Sequence, residues 1–362
     1  MKSLVIKKNL SKILISFGII VFFLFSGNIA FSQQELCLSK LKKAQELFDS
    51  GLIEEIPTML DSCLKSGFNK QQAIQAYRLL IQVYLFDYNQ EKAEQTMLSM
   101  LTQFPEYEIQ SNDPVEFVNL YNLFQATPLY SFSVNTGLNI TNVSLLEQFS
   151  TGNLNNLNSE YKSGGIKAGI RFSFEKYINT KSWITIGLGY KFSGFENQEK
   201  SNFERELLTF SEKMQWLNIP HYYNYSFKQY KRVTPYVFVG GQFAFLVKSE
   251  GELSNIGLGG NSSGLGGISK DMLPYRNRVN YSAILGVGIR YKIATGYLRF
   301  NAYYAKGLVS YVKDDSRYAD GENLYYYNYI DDKIKLNSFN FTFGYSYIFY
   351  KISKKPILDN LN

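Results

Sequence analysis

The feature that most constrains this chain is a two-residue alternation that recurs along most of its length. In its last instance Phe339, Phe341, Phe343, Tyr345, Tyr347 and Phe349 alternate with Ser338, Asn340, Thr342, Gly344 and Ser346. A period of two places one set on each face of a β-strand. The same pattern returns with Tyr130, Phe132, Val134, Leu138 and Ile140, and with Ile166, Ala168, Ile170, Phe172 and Phe174. It continues with Ile184, Ile186, Leu188, Tyr190 and Phe192, and with Tyr281, Ala283, Leu285, Val287, Ile289 and Tyr291. A soluble sandwich buries its apolar face and wets the other. Here the second face carries glycine and charge, among them Lys167, Arg171, Glu175, Lys191, Arg290, Lys292 and Arg299. That combination suits a crowded polar lumen behind a lipid-facing wall.

Eight such strands are predicted, at about 129–143, 163–178, 182–195, 211–227, 233–248, 279–293, 297–312 and 334–350. Connections alternate between short (179–181, 228–232, 294–296) and long (144–162, 196–210, 249–278, 313–333). An even number of strands with alternating short turns and long loops is the pattern of an outer-membrane barrel. Each strand exceeds the roughly 9–11 residues that a tilted membrane strand needs, and closure removes unpaired edges from lipid. An even count also puts both chain ends on one side, which would be the periplasm. Pro220 interrupts a predicted strand, and a bulge or break is expected there.

Composition agrees. Aromatic residues make up 16% and charged residues only 19% of 362 residues. Mean hydropathy is nevertheless −0.19, which excludes a bundle of transmembrane helices. Lys2, Lys7, Lys8 and Lys12 precede an apolar run from Ile13 to Phe25, followed by Ala30-Phe31-Ser32. This is the order of a cleavable secretory signal, residues 1–32, with cleavage near Gln33. The run is too short for a permanent membrane anchor. Removing its four lysines reduces the formal charge from +7 to +3, a balance that argues against a nucleic-acid partner.

Residues 33–127 change period. Leu38, Leu41, Ala44, Leu47 and Phe48 recur at helical spacing up to Gly51. Further helices are predicted over 56–64, 71–86 and 91–104. A fifth opens at Asp113-Pro114-Val115-Glu116, with Asp113 as the capping residue. Cys37 starts the first helix and Cys63 ends the second, so an antiparallel hairpin brings them together. In an oxidising compartment this predicts a disulfide, worth about 3 kcal/mol by chain entropy. Ala44, Gly51, Ala76-Tyr77, Ala93 and Pro105 resemble tetratricopeptide repeats over about two repeats. Such a module is either a partner-binding groove or a compact cap.

The fold class expected is therefore α+β and multidomain. An N-terminal α-helical hairpin domain, TPR-like, is followed by an eight-stranded antiparallel up-and-down transmembrane β-barrel over 128–350 and a periplasmic tail over 351–362. Thr342, Gly344, Tyr347 and Phe349 resemble the signal read by barrel-assembly machinery: polar, any, Gly, two of any, aromatic, any, aromatic. A 13-residue tail then follows where such signals end the chain. Trp216-Leu217-Asn218-Ile219-Pro220, with Tyr222 to Phe227 and Thr234 to Gly241, is similar to the PorT-type family of outer-membrane barrels. Asn218, His221 and Tyr222 depart from the usual residue types. The resemblance implies outer-membrane location and a link to a type IX secretion or gliding apparatus; it implies no reaction.

The remaining candidates are weak. The inward charges are expected to form a lumen network in which Glu175 pairs with a basic neighbour, since buried charges need partners; an anion-lined passage is the sharper alternative. Eight strands leave an interior that side chains just fill. Asn255 to Gly267 is Gly- and Ser-rich but lacks the ending of a phosphate loop. Asp314, Asp315, Asp320, Glu322 and Asn323 have no EF-hand spacing. Leu324 to Tyr329 carries four tyrosines, expected in an interfacial girdle. His221 falls on the outward register with Tyr223 and Tyr225, without a catalytic partner. The expectation is a non-enzymatic protein with no cofactor or metal. Its partners would be outer-membrane lipid, the assembly machinery during insertion, and a periplasmic or envelope protein. The alternative is a small transport or ligand-binding barrel that uses its outer loops.

Overall fold

In a computed structural model, residues 28–149, 158–200, 206–257, 265–293, 296–319, 321 and 329–355 are described. The chain divides into two units, Met1–Ala126 with Ile352–Asn362, and Thr127–Lys351. The signal segment up to residue 27 lies outside the described residues.

The first unit contains α1 (Asn28–Asp49), α2 (Ile56–Lys65), α3 (Lys70–Phe86), α4 (Gln90–Gln103) and α5 (Val115–Asn122). Two apolar cores hold it together. Leu41, Ala44, Ile56, Leu60, Ala76 and Leu80 pack in one; Ile81, Met97, Met100, Phe104, Phe117 and Leu120 pack in the other. Gly51, at φ +77, reverses the chain after α1, a backbone state glycine adopts without strain. Cys37 and Cys63 are disulfide-bonded with Cα atoms 5.6 Å apart. Asn69 and Gln72 form a reciprocal capping box on α3. The expected Asp113 cap on α5 does not form. Pro114 occupies the cap position with no side-chain bond. Asp113 turns away because it meets Arg78 at 2.6 Å, and it accepts from Gln110 N–H at 2.7 Å.

The second unit is antiparallel throughout. Its strands are β1 (Phe124–Glu147), β2 (Asn158–Ser163), β3 (Ile166–Tyr177), β4 (Ser182–Lys200), β5 (Glu206–Ser226), β6 (Val233–Gly257), β7 (Leu265–Asp271), β8 (Val279–Ile293), β9 (Gly296–Gly307) and β10 (Lys333–Lys354). Eight of them form a ring in the order β1, β3, β4, β5, β6, β8, β9, β10, with β10 paired back to β1. The two short strands lengthen the wall: β2 pairs with the end of β4, and β7 pairs with the end of β6. The turns at one end of the ring, called here the root end because residues 127 and 351 lie there, are short. At the far end the strands run on, so several predicted loops are strand at their edges. Residues 249–257 and 265–271, expected as loop, continue the sheet; 258–264 lie outside the described residues.

Pro220 neither bulges nor ends β5. It stays in register opposite Gln242, and the only β5–β6 shift lies between Gln215 and Trp216. Toward β4 the ladder skips Gly187 and Leu188. A Cβ on Gly187 would sit 3.3 Å from the Pro220 ring. The missing donor is absorbed by leaving two pairs unmade, with a glycine making space for the ring.

Candidate functional site

The outer and inner faces of the ring follow the alternation read from sequence. Phe132, Val134, Leu138, Ile170, Phe172, Ile186, Leu188, Val239, Leu285, Val287, Phe341 and Phe343 are all exposed outward. A contiguous apolar surface of this kind far exceeds what a soluble monomer presents. Aromatic pairs edge the belt near the root end: Tyr130 stacks on Phe349 at 4.8 Å, and Phe132 meets Phe174 at 5.4 Å. His221 lies on this outer face. Its Nε2 is 3.2 Å from the Tyr281 hydroxyl, so two polar tips satisfy each other against Phe243. Gly241 permits the contact, because a Cβ there would meet the Tyr281 hydroxyl at 2.2 Å.

Of the closing-strand residues, Tyr347 and Phe349 point outward. Thr342 accepts from Asn301 Nδ2 at 2.9 Å inside the ring. Gly344 has no room for a side chain: a Cβ would lie 2.2 Å from Val134 O.

Inside, charge is arranged in layers. Near the root end Glu175, 1% exposed, is ion-paired with Arg299 and accepts from Ser131 at 2.8 Å. Arg299 also donates to the Tyr236 hydroxyl at 3.1 Å. Arg290 donates to Tyr177 at 3.0 Å and lies over the Trp183 ring at 3.9 Å, a cation–π arrangement strengthened by desolvation. Midway along, Arg171 is held between the Tyr222 and Tyr303 rings, 5.8 Å from each. Lys167, Lys191 and Lys292 point inward and are partly buried. All seven inward charges read from sequence thus lie on the inner face. Glu175 and Arg299 are brought together directly, whereas Arg171 and Arg290 rest on aromatic rings.

Small cavities lie between the described side chains of the interior. One, about 40 Å³, is lined in part by Asn135, Asn139, Arg171, Lys191, Asn218 and Gln242. The next, about 30 Å³, is lined by Lys191, Ser193, Trp216, Gln242 and Asn280 among others. Each holds a few water-sized occupants at most.

Beyond the belt the code inverts, and this was not read from sequence. Phe195, Phe210, Met214, Trp216, Leu246, Leu253, Tyr311 and Tyr329 point inward and form a packed apolar cluster, while Lys213, Glu250 and Glu252 face out. The bulge between Gln215 and Trp216 resets the phase of β6 here. At the centre of this layer is Arg276, fully buried. It grips Glu212 with Nε and Nη2, each at 2.9 Å, and Asp331 at 2.6 and 3.0 Å. Tyr311 donates to Glu212 at 2.6 Å. Two-pronged pairing satisfies an arginine that could not otherwise be buried. It also ties the segment before β10 across the mouth.

Above it Asp332 accepts from Tyr161 O–H and Phe149 N–H, both at 2.8 Å. Burial, reinforced by the Asp332 charge, pushes Glu199 up to about 7, and burial raises Asp332 as well. Tyr329 stacks on Phe210 at 4.9 Å and so belongs to the mouth, not to a girdle; the other three tyrosines of that run lie outside the described residues. Asp314 accepts from Lys333 at 2.9 Å, which lowers its carboxyl, and Arg317 at 2.8 Å adds to the effect. Asp320, Glu322 and Asn323 lie outside the described residues. Among the described residues no cluster of metal-ligating side chains forms, and no helix is long and apolar enough to cross a membrane.

Residues 125–312 match the family described as outer membrane protein beta-barrel domain. No curated protein matches the chain. Among solved structures, Neisserial surface protein A is similar at 12% identity, covering 60% of this chain and 96% of that one, with a TM-score of 0.28. Ail of Yersinia pestis, solved with the heparin analogue sucrose octasulfate, matches at 12% identity over 60% and 99%, with a TM-score of 0.26. Outer membrane protein AlkL, solved in DMPC bilayers, matches at 12% identity over 63% and 92%, with a TM-score of 0.34.

Proposed function

The chain belongs to the outer membrane protein beta-barrel domain family, and from that premise we propose that it is a non-enzymatic outer-membrane anchor whose helical unit, on the periplasmic side, docks an envelope partner. The observation that carries this reading is the filled interior. The lumen cavity beside Arg171 measures about 40 Å³, and among the described residues the Arg276 cluster and its aromatic packing fill the far mouth. A lumen filled by side chains along its described length leaves the attached domain as the working surface.

Phe86 and Tyr88 support that assignment. Both are exposed, Phe86 at the end of α3 and Tyr88, at 96%, in the turn before α4. Tyr88 adopts φ +52, a left-handed state that is costly for a bulky side chain. A strained, solvent-facing aromatic residue is a reasonable anchor for a partner. The helical spacing that resembles tetratricopeptide repeats favours a docking role in the same way. The likeness of Trp216–Pro220 and Thr234–Gly241 to PorT-type barrels favours a type IX secretion or gliding apparatus as the partner's setting.

The test is photo-crosslinking from position 88 of the full-length protein in cells. A discrete protein adduct is expected. A correctly inserted barrel giving no adduct from positions 86 or 88 contradicts docking. The alternative of a transport barrel is separated by planar-bilayer recording, where steady single-channel conductance by the wild-type chain would overturn the closed-lumen premise.

A further inference from the structure

The charges of the lumen do not balance layer by layer. Glu175 is committed to Arg299 near the root end, and Glu212 and Asp331 to Arg276 at the far end. Between them lies the cavity of about 40 Å³, into which Arg171 and Lys191 both project, and no carboxylate lines it. Arg171 is only 9% exposed. Its polar contact is a long one, 3.5 Å from Nη1 to the Tyr303 hydroxyl, and its Nε has no partner. Lys191 makes no ion pair among the described residues.

The strand register builds this pairing of cations. Arg171 sits opposite Gly189, and Lys191 sits opposite Gly169. A Cβ on Gly189 would lie 3.2 Å from Arg171 Cβ, and one on Gly169 would lie 2.9 Å from Lys191 Cβ. The two glycines therefore leave the inner wall open where the two long cations lie down. A buried arginine and a partly buried lysine sharing one polar cavity are stabilised there by a counter-charge, because desolvating unpaired ions costs several kcal/mol each.

We propose that this cavity binds one small monovalent anion of the halide class, held between Arg171 and Lys191. It admits about three water-sized occupants, which is room for a halide with one or two waters. The same waters serve the carbonyl oxygens of Asn135 and Asn139, which have no donor. The tyrosine rings around Arg171 flank the site on one side, and Trp216 lies beyond Lys191 on the other.

The experiment refolds the full chain into detergent micelles in sodium bromide or in sodium gluconate at equal ionic strength. Thermal unfolding is followed by gel mobility, and crystals grown from bromide are examined by anomalous scattering. The expected results are a higher midpoint in bromide and a bromide peak within hydrogen-bonding distance of Arg171 and Lys191. Lys191→Met abolishes the midpoint difference, while Lys213→Met, at an outward residue beyond the belt, preserves it. Equal wild-type midpoints in both salts, with no bromide peak in the cavity, overturn the proposal. So does a difference that Lys191→Met retains. The wild-type scattering result decides the question even where Lys191→Met fails to fold.

Discussion

Replacing Leu285 by arginine distinguishes a lipid-facing wall from a water-facing one. Leu285 is 67% exposed and lies near the middle of the outward series of β8, between Val279 and Ile293. It is flanked in the register by Val239 and Tyr304. No neighbouring carboxylate lies on that face, so an arginine there would have to carry its charge into hydrocarbon. For an outward position at the bilayer midplane this costs about 2–4 kcal/mol. At 1.36 kcal/mol per factor of ten, the folding equilibrium would shift by about 30- to 900-fold.

If the same surface faced water, replacing an exposed leucine would change stability by no more than about 0.5 kcal/mol. The assay is urea titration of the protein folded into lipid vesicles, read by heat-modifiable gel mobility. Glu252→Arg serves as the comparison, since Glu252 is exposed beyond the belt and its replacement should stay within about 0.5 kcal/mol. Equal tolerance of both substitutions would refute the assignment of this face to lipid.

Three further outcomes follow from the described contacts. Arg276→Met leaves Glu212 buried without its partner and should cost about 3–5 kcal/mol, measured in the same titration; a loss below 1 kcal/mol would show that the mouth is not held by this pair. Reducing or replacing the Cys37–Cys63 bridge, which spans 26 residues, should lower the stability of the helical unit by about 3–4 kcal/mol, seen as a lower thermal midpoint by circular dichroism. Because the folded-state pKa of Glu199 is raised to about 7, its contribution is fully present below its unfolded pKa and is lost as pH rises through 7. Hydrogen exchange at the β2–β4 edge should therefore accelerate between pH 5 and pH 8, and Glu199→Gln should flatten that dependence.

The ring was legible because its code is local. In the belt each strand alternates an outward apolar residue with an inward small or charged one, as in Phe172 and Ser173 or Ile289 and Arg290, so face assignment needs no tertiary information. The far end was not legible for the same reason. Once the wall leaves lipid, the outward residues become Lys213, Glu250 and Glu252 and the inward ones Phe210, Met214 and Leu253, which is the ordinary soluble pattern. A reading tuned to apolar-out strands ends at the boundary and sees loop. Arg276 lies in the non-periodic link before β8 and Asp331 in the segment before β10, so the pair depends on chain return over 55 residues. The inward phase of Glu212, two turns of the same alternation above Trp216, was the available signal. At α5 the capping expectation failed because a buried ion pair with Arg78 outcompetes a local cap.

The central claim is that alternate residues of these strands meet lipid and lumen. It is tested most directly by nitroxide scanning of β8 from Ala283 to Arg290 in vesicles, through single introduced cysteines, since both native cysteines are already bonded to each other. The account requires high oxygen accessibility and low accessibility to a water-soluble relaxant at 283, 285, 287 and 289, with both suppressed at 284, 286, 288 and 290. Strong contact with the water-soluble relaxant at the odd positions, or no period of two, would contradict it.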